Sequence, residues 1–228
     1  MEISIIIPTY NEKENIKKLC LTILNIFKKD NLSGEIIVVD DNSPDGTGKI
    51  LDELKIRYKN IKPLHRKCKK GLASAVIEGF NISKGDILGV MDADFSHPPE
   101  KISDLIKAIE EGYEISIGSR YVPGGKTMGW PVYRKIISWG ATLISKILFN
   151  VPAKDPMSGY IFFNREILKG IKLNPKGFKI NLEILVKTKS KKIKEIPIVF
   201  KNRKIGKSKL NLKEIKNYLV HCWKLIKF

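Results

Sequence analysis

Asp92 and Asp94 stand one residue apart in Met91-Asp92-Ala93-Asp94, directly after the mainly apolar run 86–90. In extended chain, residues i and i+2 face the same way, so the two carboxylates converge on one point. Such a pair suits one hard divalent cation, with diphosphate oxygens completing its shell. A cation held there neutralises the charge that builds on a diphosphate as it leaves. Paired aspartates are common at strand ends, and it is the position after a central strand that gives these two their weight.

Other polar clusters fall at neighbouring strand ends. Pro8-Thr9-Tyr10-Asn11-Glu12 closes the first apolar run and Asp40-Asp41-Asn42-Ser43 the second. An aromatic ring and carboxylates placed together suit stacking and hydrogen bonding to a nucleobase. The same residues have local uses: Asn11 as a helix cap, Asp41 as the closure of a turn, Asp45 as another cap. Two nucleotide motifs are excluded. In Gly46-Thr47-Gly48-Lys49 the first P-loop glycine is missing, because position 43 is Ser, and Ile50 replaces the magnesium-binding hydroxyl. No G-x-G-x-x-G follows any strand.

The elements that must position these clusters alternate through the N-terminal half. Residues 3–7, 35–39, 86–91 and 115–118 read as buried strands, and 12–28, 46–58, 72–82 and 98–111 as helices. This alternation predicts an α/β fold with a doubly wound, mostly parallel sheet. Ligands of such sheets bind beyond the carboxyl ends of the strands. The second half is less regular. A Gly/Pro-rich loop spans 121–131. Residues 133–150 read as a helix with the polar stripe Arg134, Ser138, Thr142 and Ser145, its other faces being apolar. Residues 212–228 read as a second amphipathic helix, with Leu212, Ile215, Leu219, Cys222, Trp223 and Ile226 on one side. Most amphipathic helices pack on their own domain. Two that carry Trp and flanking Lys equally suit a membrane surface.

The net charge is +18, and residues 169–228 carry +15 of it. That field suits an anionic partner: a phosphate-bearing ligand, anionic lipid headgroups or nucleic acid. A composition of 43% hydrophobic and 29% charged residues is that of a folded chain rather than a disordered one. Cys20, Cys68 and Cys222 have no close spacing, so neither a disulfide framework nor a zinc site is expected, and a reducing compartment is. The N-terminus runs straight into a strand, without the pattern of a signal peptide. No apolar stretch reaches the roughly 18–20 residues that span a bilayer; the longest, 136–149, contains Lys146.

Taken together, Pro8-Thr9-Tyr10-Asn11-Glu12, Asp40 through Thr47 and the Asp92/Asp94 pair resemble the family 2 inverting glycosyltransferases of GT-A fold. Further motifs are similar to those of the dolichyl-phosphate mannose synthases. They are Gly71-Leu72-Ala73-Ser74-Ala75, Asp92 through Glu100, Gly118 through Gly125, Asp155-Pro156-Met157-Ser158-Gly159-Tyr160 and Gly206-Lys207-Ser208-Lys209-Leu210. The resemblance implies a GT-A catalytic domain over 1–210, followed by a C-terminal amphipathic helix over 211–228 with no transmembrane segment. It implies GDP-mannose as sugar donor, dolichyl or another polyprenyl phosphate as acceptor, and Mg2+ or Mn2+ as cofactor. Pro8, Tyr10, Glu12, Asp40, Asp41 and Asp92 are then the residues expected to bind the nucleotide sugar, with Arg203 and Lys209 closing over its diphosphate. Asp92, Asp94 and Ser96 are expected at the metal. Many members carry Gln where this chain has Ser96, so water is expected to complete the shell. Some members also carry C-terminal transmembrane helices. Here the expectation is peripheral attachment to the cytoplasmic face of an anionic membrane, directly or through an anchoring partner protein.

A phosphate acceptor shapes the expected chemistry. Its second pKa is about 6, so it is already a nucleophilic dianion near neutral pH and needs no general base. Arg120 and Arg134 flank the Gly-rich loop and suit a bidentate grip on that phosphate. Asp155 is expected to orient the sugar or the acceptor, or to cap a turn, and His97 to pack beside the metal. The nearest alternative is a polyprenyl-phosphate glucosyltransferase using UDP-glucose. A sugar nucleotidyltransferase would need a Gly-rich basic loop after the first strand, which 8–12 is not. A basic nucleic-acid-binding module needs no aspartate pair, and it would interleave its charge with exposed aromatics; nucleic acid is therefore not an expected partner.

Overall fold

The computed structural model describes residues 1–174, 179–202 and 212–227. Arg203, Lys209 and the 206–210 motif lie outside the described residues. In chain order the elements are β1 (Ile3–Thr9), α1 (Lys13–Lys29), β2 (Gly34–Asp40), α2 (Thr47–Arg57), β3 (Ile61–His65), α3 (Leu72–Ile82), β4 (Ile87–Val90), α4 (Ile102–Glu110) and β5 (Ile115–Ser119). They continue with β6 (Lys126–Met128), α5 (Val132–Phe149), β7 (Ile161–Asn164), α6 (Ile180–Thr188), β8 (Ile193–Pro197), β9 (Val199–Lys201) and α7 (Leu212–Ile226).

One sheet has the strand order β3-β2-β1-β4-β7-β5-β8, and β6 pairs with β9 apart from it. Its pairings are parallel except around β7, which runs antiparallel to both β4 and β5. The expected mostly parallel α/β sheet is therefore present, and all four expected strands form. β1 shows why both faces are apolar. Ile5 and Ile7 join one core with Leu19 and Ile23 of α1 and Leu105 of α4, while Ile6 joins a second core with Val76 and Phe80 of α3 and Ile184 of α6. Alternate residues of an extended chain point to opposite faces, so helices must cover both.

β7 fits between β4 and β5 because two glycines clear its path. A Cβ on Gly89 would lie 2.4 Å from the Phe162 ring, and one on Gly118 would lie 2.6 Å from the Tyr160 ring. β3 also went unread in the sequence, because Pro63 interrupts its pattern; it is a sheet edge, where proline is tolerated. The expected loop 121–131 contains the short strand β6.

α5 is turned inside out relative to an ordinary surface helix. Thr142 and Ser145 of its polar stripe are buried, whereas Ile136, Trp139 and Ile147 are 62–73% exposed. α7 divides the expected apolar side differently from a simple amphipath. Tyr218, Cys222 and Leu225 pack inward with Met157 and Leu182, and Leu219, Trp223 and Ile226 stay exposed. Tyr218 fixes α7 to α5 by donating its hydroxyl to the Ala141 carbonyl at 2.7 Å.

Candidate active site

The ends of β1 and β2 are locked together by backbone turns. Asn11 and Asn42 both take left-handed conformations, with φ of 60° and 58°, which asparagine tolerates better than most residues. Asn11 is thus the turn itself rather than the expected helix cap. The first turn of α1 is capped from α2's approach instead: Glu12 N donates to Thr47 Oγ1 and Lys13 N to Asp45 Oδ2. Asp40 accepts from Thr9 Oγ1, Ser43 Oγ and Ser43 N. Asp41 accepts from Arg66 Nη1, Lys70 N and Gly71 N, each at 2.8 Å. Both carboxylates therefore hold loops in place. Tyr10, expected to stack on a base, has Lys69 Nζ 3.4 Å above its ring centre. Arg66, which sequence reasoning passed over among neighbouring lysines, has a fully buried side chain that also bonds Ser74 and Glu78.

A cavity of about 400 Å³ opens beyond the carboxyl ends of β1 and β4. Pro8, Glu12, Asp92 and Asp94 line one end, and Tyr10, Asp40 and Asp41 do not line it. After Asp94 the chain turns through Phe95, whose φ of 58° is strained for a bulky residue. That turn lets Ser96 N donate to Asp94 Oδ1 at 3.0 Å. Asp92 N donates to His97 Nδ1, also at 3.0 Å. His97 is fully buried and stacks on Tyr160, with ring centres 4.9 Å apart. Burial holds the His97 pKa below its ordinary value, against the pull of Asp92 and Asp94. The ring is therefore neutral, with Nδ1 as acceptor. It accepts the Asp92 amide and packs on Tyr160 beside the aspartate pair. Gly159 permits this closeness, since a Cβ there would lie 2.9 Å from His97 Cε1.

The metal expectation can be tested on the groups present. Among the described residues no three His, Cys, Asp or Glu converge, so the protein offers two carboxylates rather than a cage. That set fits Mg2+ or Mn2+, which keep waters and share their shell with phosphate oxygens. Ser96 Oγ is buried without a hydrogen-bond partner, an orphan that a neighbouring cation or its water would satisfy.

Deeper in the cavity lies Arg120, at the end of β5. Its Nε and Nη2 donate to Asp155 Oδ2 and Oδ1 at 2.7 and 2.6 Å, and its backbone N donates to Oδ2 at 3.0 Å. These bonds outweigh burial and raise the Arg120 pKa. Asp155 thus takes the Nε/Nη2 edge of Arg120, and the remaining N–H groups, at the Nη1 edge of this cavity-lining residue, are the ones a phosphate could engage. Asp155 is fully buried and outside the cavity lining, so it positions Arg120 rather than touching a ligand. Arg134 also lines the cavity, held by Asn202 Oδ1 at 3.0 Å and lying 4.2 Å from the Trp130 ring centre. Beyond the arginines the walls become apolar, with Ile137 and Ile144 of α5, Leu182 of α6 and Leu219 of α7. Lys179 lines the cavity too. It was missed because α6, which it precedes, lacked a legible period.

Residues 4–172 match the family model "Glycosyl transferase family 2". The chain is 48% identical over 230 residues to a dolichol-phosphate mannosyltransferase of Pyrococcus furiosus, the match covering 100% of this chain and 64% of that protein. The chain thus spans somewhat under two thirds of that relative's length. It is 38% identical over 219 residues to an undecaprenyl-phosphate mannosyltransferase of Micrococcus luteus, covering 92% of this chain and 88% of the relative. Among solved structures it resembles glucosyl-3-phosphoglycerate synthase from Mycobacterium tuberculosis, crystallised with Mn2+, UDP and glucosyl-3-phosphoglycerate. The TM-score is 0.71 at 19% identity, over 99% of this chain and 78% of that one. This likeness shows the GT-A fold. With that fold, these relatives and the aspartate pair at the end of a central strand, the chain belongs to glycosyl transferase family 2, in its group of dolichol- and polyprenyl-phosphate mannosyltransferases.

Proposed function

We propose that the chain transfers mannose from GDP-mannose to the phosphate of dolichyl or another polyprenyl phosphate, with inversion and with Mg2+ or Mn2+. The observation that carries this reading is the shape of one cavity. It runs from the Asp92/Asp94 pair, past Arg120 and Arg134, into an apolar arm between α5, α6 and α7. A nucleotide diphosphate sugar suits the first end, an anionic headgroup the middle and a prenyl chain the last. The names of the relatives support the same acceptor class, and the Mn2+ and UDP of the fold neighbour support a metal-bound nucleoside diphosphate.

In this reaction a phosphate oxygen attacks the anomeric carbon from the face opposite the diphosphate. The carbon–oxygen bond to the diphosphate breaks, and configuration inverts. A bound divalent cation supplies charge neutralisation for the leaving diphosphate. Asp92 and Asp94 hold it, and Ser96 lies beside them. Two anionic reactants repel one another, so fixed cations must lie between them. Arg134 and the Nη1 edge of Arg120 fill that role. With a dianionic nucleophile no side chain has to take a proton, which agrees with a neutral His97 bound to the Asp92 amide.

Product analysis with GDP-mannose, UDP-glucose and a short polyprenyl phosphate tests this. Mannosyl phosphoprenol is expected; a glucosyl product in its place would overturn the choice of sugar donor. In the same assay Arg134→Lys keeps the charge but loses the planar fork. Its kcat/KM should fall about 10- to 100-fold, the worth of one charged hydrogen bond, at unchanged GDP-mannose affinity. If calorimetry instead shows weaker GDP-mannose binding at normal turnover, Arg134 belongs to the nucleotide-sugar side.

The reading also places the protein on the cytoplasmic face of an anionic membrane, attached peripherally. Support comes from the outward apolar face of α5, from Trp223 on α7 and from the basic C-terminal quarter. No described helix is long and apolar enough to cross a bilayer. Anionic liposomes should capture the purified protein without any anchoring partner, and high salt should release much of it. Equal capture by neutral liposomes would remove the electrostatic part of this reading.

A further inference from the structure

α5 has one position that neither its own stability nor its packing explains. Gly140 lies in the interior of an 18-residue helix, where glycine is among the poorest helix formers. Among the described residues, a Cβ added there would meet no atom of another element within 4 Å, so their packing does not demand glycine either. The empty volume is what the residue provides.

Its place on the helix says what that volume joins. Residues four apart form rows along a helix surface, and Ile136, Gly140 and Ile144 make one such row. Ile136 is 63% exposed on the outward face. Ile144 is at once part of that face and part of the cavity wall, beside Ala141. The row therefore has a bulky side chain at each end and a gap in the middle, where the exposed face meets the cavity. Arg134 lies six residues earlier, about 9 Å along the helix axis, and lines the same cavity.

We propose that Gly140 is the portal through which the acceptor's isoprenoid chain passes from the outward face of α5 into the cavity, and that it thereby sets which acceptors are accepted. This rests on the acceptor reading given above. The occupant is a thin apolar chain because the residue omits a single side chain and the cavity wall beside it on α5 is Ile137, Ala141 and Ile144. The phosphate it carries meets Arg134 within the reach of the first prenyl units.

The test compares kcat/KM for a long polyprenyl phosphate and for butyl phosphate, with GDP-mannose, in the wild type, Gly140→Ala and Gly140→Leu. GDP binding by calorimetry serves as the folding control. The long-to-short ratio should fall about tenfold or more in Gly140→Leu, the scale of a steric block in an apolar pocket, and less in Gly140→Ala. Gly140→Ala should also melt higher, as expected where alanine replaces an uncrowded helical glycine. A wild-type ratio in both variants would overturn the portal, as would an equal loss with both acceptors. Should the wild type transfer mannose to neither phosphate, the acceptor reading itself fails, and that is visible before any variant is made.

Discussion

Asp94→Asn is expected to lower mannosyl transfer by about 10³-fold or more, since a metal at a leaving diphosphate supplies several kcal/mol of transition-state stabilisation. The fold should survive. Asp94 Oδ1 accepts from Ser96 N, and an asparagine carbonyl accepts the same bond, so the turn through Phe95 can persist. What asparagine loses is the negative charge that a hard cation requires. Calorimetry should show that Mn2+ no longer strengthens GDP binding, while the melting temperature changes little. Near-normal transfer by this variant in the presence of EDTA would rule out a metal between Asp92 and Asp94.

Asp155→Ala should be the most destabilising single change in the site. Arg120 and Asp155 are both buried and joined by three hydrogen bonds. Removing one member of such a pair leaves an uncompensated charge and costs about 3–5 kcal/mol. For a chain of this size that is roughly 6–20 °C in melting temperature. The double variant Arg120→Met/Asp155→Leu removes both charges and should recover much of the stability. Transfer should stay low in it, because the Nη1 edge of Arg120 is gone from the cavity. An Asp155→Ala protein that melts within about 2 °C of wild type would show that the pair is not a stability determinant. Recovery of transfer in the double variant would show that Arg120 has no part in the reaction.

The N-terminal half was legible because its signals are local. β1 and β2 are rich in Ile and Val, and α1 and α4 have clear helical periods, so each element could be read within its own segment. The Asp92/Asp94 pair was legible for the same reason, since its spacing and the strand before it lie together in sequence. The partnership of Arg120 with Asp155 was not, because 35 residues separate them and each looked suited to a ligand. Asp41 was ambiguous in the same way; its partner Arg66 is marked by burial, which composition does not reveal. β7 gave only a four-residue signal. The glycines that admit it, Gly89 and Gly118, looked like strand and strand end, and they became informative only once Phe162 and Tyr160 were seen against them. The faces of α5 were read correctly as polar and apolar. Periodicity alone cannot say which face turns inward, and here the usual assignment is reversed.

The antiparallel insertion of β7 has a consequence for the order in which the molecule is assembled. β3, β2, β1 and β4 pair in that order along one side of the sheet and all are complete by residue 90, with only the outer edge of β4 left for β7. β5 is different. Its two sheet neighbours are β7 and β8, which begin at residues 161 and 193. During synthesis from the N-terminus, β5 therefore leaves the ribosome without a partner, and Arg120 at its end has no Asp155 to hold it. The half of the sheet built on β1 to β4 can close on contacts between segments near in sequence. The half built on β5 waits for long-range pairings, which form slowly because a large loop must first be closed.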